Sequence, residues 1–291
     1  MLRVLKAPVP VAPARPRGRR PKNLDHAAPL DADDARYRAP ALDKGLDILE
    51  LLANQPQGLT RAEIVKEMDR SANEIYRMLE VLVDRGYLKR RNSGFTLTLK
   101  LFELGLQSLP MRDLSQIAAA QMHEVAQRTR QSLHLSMHQD QRLIVVACVH
   151  TPEPLGFSVR LGSHFPFRPD RTSARVLTAF APPEVADWMI EEMQRNSAPE
   201  KLNLRSLKPK LETIRRRGYE QSKSDTVPGI TDMAFPIFDN VHPGAIASLN
   251  MPYLKQRDAT MTLIQAREVL QLAAQSITDQ MGGADHPMAR F

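Results

Sequence analysis

Between residues 41 and 98 the spacing of apolar positions changes from helical to alternating. Leu42, Leu46, Leu49 and Ala53 recur at helical spacing, with Pro40 ahead and Pro56-Gln57-Gly58 behind, which predicts a first helix over about 41–54. Thr60 with Glu63 three residues on has the form of a capping box, opening a short helix with Ile64, Val65 and Met68 on one side. Ser71 with Glu74 repeats that form. In the helix it opens, Ile75, Met78, Leu79 and Leu82 mark the buried stripe, so Asn73 and Arg77 project almost opposite it, with Glu80 and Asp84 further along. After Gly86, "YLKRRNSGFTLT" alternates as two short strands around a turn at Asn92-Ser93-Gly94. Three helices followed by a basic hairpin predict a winged helix-turn-helix over residues 39–98.

A helical stretch over about 99–130, divided at Pro110, is expected to link this unit to the rest and to help hold a dimer. From residue 131 the period falls to two: strands are expected at "SLHLSMH", "LIVVACVH" and "GFSVRLG", and later at "YEQSKS", "ITDMAFPIF" and "AIASLNMPYL". Helical patterns fall at about 173–181, 183–195, 204–217 and 258–281. The fold class is α+β, with a largely antiparallel sheet in the domain over 131–283 and a flexible C-terminus at 284–291.

Charge changes the picture at one end. Seven of the 40 Lys and Arg lie in residues 1–24, which hold no acid, leaving 33 bases against 33 acids in the remainder. The net +7 therefore belongs to a tail (residues 1–38) whose Pro and Ala content predicts disorder. Its "PRGRRPK" segment, with Arg17, Arg19 and Arg20, resembles an AT-hook suited to a minor groove, interrupted by an extra arginine; a nonspecific basic tail is the other reading. No apolar run is long enough for a membrane span, and the N-terminus lacks a secretory core, so a cytoplasmic, nucleoid-associated protein with no membrane partner is expected. The single cysteine, Cys148, sits in an apolar run as core filler.

The outward face of the third helix then has a chemical reading. Asn pairs with adenine, Arg with guanine, and Glu accepts from cytosine, while a helix start offers free N–H groups to phosphate. Thr60, Arg61, Ser71, Asn73, Glu74 and Arg77 are the expected contacts of the helix-turn-helix, with Lys89, Arg90 and Arg91 on backbone phosphate. For Glu74, capping and base contact are both open.

The run from "ALDKGLDILELLANQPQG" through "EIYRMLEVLVDRGYLKRR" to "LFELG" resembles the N-terminal domain of the IclR-type bacterial transcriptional regulators, and the remainder to about 255 resembles their GAF-like effector-binding domain more loosely. Asp69 stands where the family commonly has a turn glycine, and "SANE" departs from its usual reading surface. What the resemblance implies is an operator-binding dimer or tetramer whose DNA affinity a small effector modulates, with no cofactor and no catalysis. By motif position Arg171, Thr172, Ser173 and Ala174 in "RTSARVL", Asp225, Asp232 and Asn250 would edge the ligand pocket. Arg171 and Arg160 hint at a carboxylic or aromatic acid, with surface arginines as the other reading. The competing expectation is a metabolite-binding or enzymatic protein that binds DNA only nonspecifically, with Asp225 and Asp232 as paired acids. His134, His138 and His150 read better as a polar sheet face than as metal ligands.

Overall fold

The computed structural model describes residues 39–91, 94–107, 109–197, 204–256, 259 and 261–289. The tail arginines Arg17, Arg19 and Arg20 and the turn residues Asn92 and Ser93 lie outside them. The described residues form two compact units, divided between Leu101 and Phe102.

In the first unit, helices α1 (Pro40–Ala53), α2 (Arg61–Met68) and α3 (Ala72–Asp84) precede an antiparallel hairpin of β1 (Leu88–Arg91) and β2 (Gly94–Leu97). Ile48, Leu52, Ile64, Ile75, Leu79 and Leu88 form its core. The stripe expected on the third helix is the one that faces inward. On α1 the stripe differs from the expected one: Gly45, Ile48 and Leu52 are buried, while Leu42 and Leu46 stay 61% and 48% exposed. α1 is apolar on two sides, and spacing alone did not separate them.

Asp69 takes the left-handed conformation (φ 51°, ψ 50°) that ends α2, as a turn without glycine requires. The wing is anchored by Leu59, which exchanges backbone hydrogen bonds with Phe95. Gly94 makes that approach possible: at φ 122°, a Cβ there would lie 2.2 Å from the Leu59 carbonyl oxygen.

The second unit is a six-stranded antiparallel sheet. Its strands are β3 (Leu133–Gln139), β4 (Arg142–Val149), β5 (His164–Pro166), β6 (Glu220–Lys223), β7 (Ile230–Ile237) and β8 (Ala247–Leu254), in the order β5-β4-β3-β8-β7-β6. One face packs on α5 (Leu109–Thr129) and α9 (Leu263–Gln280), through Leu114, Met122, Phe235, Leu249, Leu270 and Ile277. The other carries α6 (Thr172–Ala179), α7 (Pro183–Arg195) and α8 (Leu204–Arg217).

Four boundaries depart from expectation. "GFSVRLG" forms no strand: Leu161 is 64% exposed, Gly162 turns at φ 75°, and the ladder to β4 starts only at His164. Pro110 does not divide a helix but is the second residue of α5, where its missing N–H has no intrahelical partner to lose. α5 also belongs to the core rather than serving only as a connector, with α4 (Lys100–Leu106) before it. α9 begins at Leu263, behind a closed box of Thr262 and Gln265, not at 258. The segment expected to be a flexible C-terminus is docked as far as it is described: His286 stacks on Phe238 at 4.5 Å and Ala289 is buried. Cys148 is half-buried opposite His134 rather than in the core. Among the described residues, no helix is long and apolar enough to cross a membrane.

Candidate nucleic-acid interface and ligand pocket

The first site is the outer surface of α2, α3 and the wing. Thr60 closes a full capping box: its Oγ1 accepts from the Glu63 amide at 3.3 Å, and Glu63 Oε2 accepts from the Thr60 amide at 2.8 Å. Those Thr60 bonds hold the Glu63 carboxyl below its usual range. Ser71 stands at the N-cap of α3 but does not cap it. Its hydroxyl instead donates to Glu74 Oε2 (2.9 Å), and Lys44 Nζ of α1 meets Glu74 Oε1 at 2.5 Å. The second capping box is therefore incomplete: Glu74 stays bonded to Ser71, but the Ser71 hydroxyl donates to that carboxylate and accepts nothing from the helix. The Lys44 bond first, and Ser71 after it, hold the Glu74 carboxyl below its usual range.

Asn73 and Arg77 are both exposed and have no hydrogen bond or ion pair with any described residue. Beside them, Tyr76 is 47% exposed, with the Arg61 guanidinium 5.4 Å above its ring. Tyr76 was not singled out from the sequence, although its place off the buried stripe of α3 is a visible signal. In the wing, Leu88 points inward while Lys89, Arg90 and Arg91 face out. Arg90 is not free: it pairs with Glu80 of α3 and lies over the Phe95 ring.

The second site lies where α6 meets the sheet. Alternation along β8 sends Leu249 and Met251 into the core shared with α5 and α9, so Ser248, Asn250 and Pro252 face α6. Asn250 Oδ1 accepts from Ser173 Oγ (2.8 Å) and Ser248 Oγ (3.0 Å), and its Nδ2 donates to Ser248 O (2.7 Å) and His134 O (3.3 Å). Thus Ser173 and Asn250 come together, as expected, but as a satisfied floor. Ala174 is fully buried against the core.

Above that floor runs an ionic cluster whose centre the sequence reading missed. Arg175 is 1% exposed and donates to Glu220 Oε1 (3.1 Å), Ser222 Oγ (2.9 Å) and Pro169 O (2.5 Å). Its Nη1 also lies 3.7 Å from Asp225. Lys210 is 3.5 Å from the same Glu220 oxygen. Burial raises the Asp232 carboxyl above its usual range, against the opposing pull of a Ser224 hydrogen bond and of Arg175 and Arg171. Arg171 lies over Phe165 at 5.0 Å.

Three shielded nitrogens here have no hydrogen-bond partner: Arg171 Nε, Arg175 Nε and His134 Nδ1. Burial lowers the His134 imidazole to about 4, so it is neutral. His138 is turned to Glu192 (2.5 Å), and no group of three metal-ligating side chains exists among the described residues. Arg175 could be found in the sequence only by its place one turn after Arg171; nothing there marks it as buried.

A separate surface cleft of about 530 Å³, lined by Arg130, Gln131, Glu153, Leu155, Lys255 and Gln256, contains none of the expected ligand residues. Its polar groups serve the fold: Gln131 bonds both backbone groups of Leu254, and Arg130 pairs with Glu153 at 2.5 Å. The unsatisfied groups make the α6 face the better candidate.

Comparison with known proteins agrees with both halves. The IclR helix-turn-helix domain matches residues 41–92, and the C-terminal domain of the bacterial transcriptional regulator IclR matches residues 106–279. The HTH-type transcriptional regulator KdgR of Escherichia coli strain K12 is 26% identical over 265 residues, covering 89% of this chain and 99% of its own. The solved structure of the Thermotoga maritima IclR superposes with a TM-score of 0.66 at 23% identity, over 83% of this chain and 98% of that one. An IclR homolog from Microbacterium hydrocarbonoxydans, complexed with 4-hydroxybenzoate, gives 0.68 at 22% identity, over 83% and 98%. Both matched domains are those of one regulator family, and this chain belongs to it: it is a member of the IclR family of bacterial transcriptional regulators.

Proposed function

We propose that the protein is a one-component regulator that reads its operator with α3 and is switched by a small acid bound against α6, without catalysing a reaction. The observation that carries the DNA half is the division of labour on α3. Glu74 is paired with Lys44, while Asn73 and Arg77 project outward with no side-chain partner among the described residues. A polar pair left unpaired beside a helix start fits base edges in a major groove, with Tyr76 and Arg61 as their flank. Thr60 and Ser71 lie at the helix starts where phosphate would approach. Lys89 and Arg91, which pair with none of the described residues, are the wing cations for phosphate. Arg90 takes a supporting role through Glu80, and the N-terminal arginines add nonspecific attraction.

The dimer is supported by apolar side chains that the helix-turn-helix unit does not cover: Leu42 and Leu46 on α1, and Leu99 beside α4 at 72% exposure. Two copies would present two recognition helices to a palindromic operator in the bacterial cytoplasm. The effector must bind the DNA-competent and incompetent states unequally, since equal affinity shifts nothing.

A mobility-shift titration with DNA flanking the gene tests this reading. A specific complex that weakens with salt, and responds to a small acid, is expected. A protein that binds all DNA alike, with or without metabolites, would be the nonspecific binder instead.

A further inference from the structure

Resting on the reading of α3 as the helix that enters the operator's major groove, we propose that Tyr76 determines base specificity, its ring packing on the 5-methyl group of a thymine. The first support is where the ring lies. Tyr76 follows Asn73 by three residues and Arg77 follows it by four, and residues at those spacings are neighbours on a helix surface, so the three form one patch. Tyr76 takes no part in the core of its unit: Ile75 and Leu79 of the same helix are 0% exposed, whereas Tyr76 is 47% exposed. The core therefore does not require an aromatic residue at this place. The second support is how the ring is held. The guanidinium of Arg61, the first residue of α2, lies 5.4 Å from the ring centroid. That contact ties α2 to α3 through the ring and restricts the side chain before any DNA is bound, which lowers the ordering cost of using it in an interface. It also covers one face, which leaves the other face and the rim for a partner.

The chemistry of the groove names the partner. Bases in duplex DNA are stacked, so a helix in the major groove meets their edges. Every base edge there presents hydrogen-bond donors or acceptors, and thymine alone adds a methyl group. Ring carbon laid against a donor or acceptor strips it of water and returns no hydrogen bond. Against a methyl, the same ring buries apolar surface on both sides. Asn73 and Arg77 supply the polar readout, in the pairings with adenine and guanine that suit their side chains. Tyr76 supplies the apolar one, the single feature of the groove that neither neighbour can read.

Deoxyuridine pairs as thymidine does and differs from it only in lacking that methyl. Mobility shift of the full-length protein tests the proposal, with the DNA flanking the gene prepared once with thymidine and once with deoxyuridine throughout, in excess unrelated competitor DNA. The wild-type complex should be about fourfold weaker on the deoxyuridine DNA for each methyl contacted, the effect of burying one such carbon. Tyr76→Ala should bring the ratio near one, chiefly by weakening the thymidine complex, with Tyr76→Gln in its place should the first not fold. Tyr76→Phe should keep the ratio, since the ring and not the hydroxyl makes the contact. A specific complex equally tight on both DNAs, a ratio that survives Tyr76→Ala and Tyr76→Gln, or a ratio lost in Tyr76→Phe overturns the proposal and leaves the recognition role of α3 standing. No salt-sensitive specific complex on either DNA removes the reading of α3, and the proposal with it.

Discussion

Replacing Arg175 with methionine should destabilise the effector domain far more than a typical substitution. The guanidinium is buried and holds Glu220, itself 3% exposed, together with Ser222 and the Pro169 carbonyl. Removing it leaves the Glu220 carboxylate buried, with only Lys210 at 3.5 Å, a side chain that is itself 44% exposed. Breaking a buried ion pair from one side costs about 3–5 kcal/mol. For a domain of this size each kcal/mol is worth roughly 2–4 °C in Tm, so a fall of about 6–20 °C is expected. Trp188 is the chain's single tryptophan and lies on α7, so its fluorescence in a urea titration reports this domain and not the helix-turn-helix. The control is Arg175→Met combined with Glu220→Gln. With the stranded charge removed, more than half of the loss should return, because the larger part of the penalty is the unpaired carboxylate rather than a missing attraction. A loss below about 1 kcal/mol, the range of exposed pairs, would show that Lys210 neutralises Glu220 unaided. A double variant no more stable than the single would show that packing, not charge, sets the cost.

Four further outcomes follow from the same geometry. Asn73→Ala and Arg77→Ala should each cost about 1–3 kcal/mol of operator affinity and relax preference at one base position, read by mobility shift against substituted operators. Asp232→Asn should raise Tm at neutral pH. The native carboxyl holds its proton above the usual aspartate range, so the native state loses stability as pH rises through that window. The gain should vanish in acid below the ordinary aspartate range, and a gain independent of pH would contradict it. Gly94→Ala should loosen the wing, because its Cβ would sit 2.2 Å from the Leu59 carbonyl oxygen at a φ of 122°; faster hydrogen exchange at Phe95 is the expected readout. Thr60→Ala should cost about 0.5–2 kcal/mol of stability and Ser71→Ala distinctly less, since only Thr60 accepts from its helix; equal losses in denaturant titrations would refute the difference.

What the chain's pattern reveals depends on whether one helix or strand suffices to state it. The stripe of Ile75 and Leu79 fixes the outer face of α3 by itself, so Asn73 and Arg77 were legible from spacing. The engagement of Glu74 was not, because Lys44 lies thirty residues away on another helix. The pocket is harder still. Arg175 sits within a run that reads as an ordinary amphipathic helix, and its burial exists only once β6 brings Glu220 and Ser222 beside it. α1 failed for a related reason: it is apolar on two sides, and the fold uses only one.

Helix starts show where the sequence rules stop and function begins. α2 and α9 close complete capping boxes, Thr60 with Glu63 and Thr262 with Gln265. α1 and α7 open with proline, which has no N–H to satisfy. α3 and α6 have Ser71, Thr172 and Ser173 in or beside capping positions, and the sequence alone would assign them the same role, yet neither helix receives a side-chain cap. Ser71 donates to Glu74 and Ser173 to Asn250, while Thr172 accepts from Arg175 of its own helix, leaving the opening amides for another acceptor. At the surface, on α3, that acceptor fits a DNA phosphate. Buried, on α6, it fits the carboxylate of an effector. The two helices through which this regulator is proposed to touch its partners are thus among those that receive no side-chain cap, although hydroxyls stand at their starts.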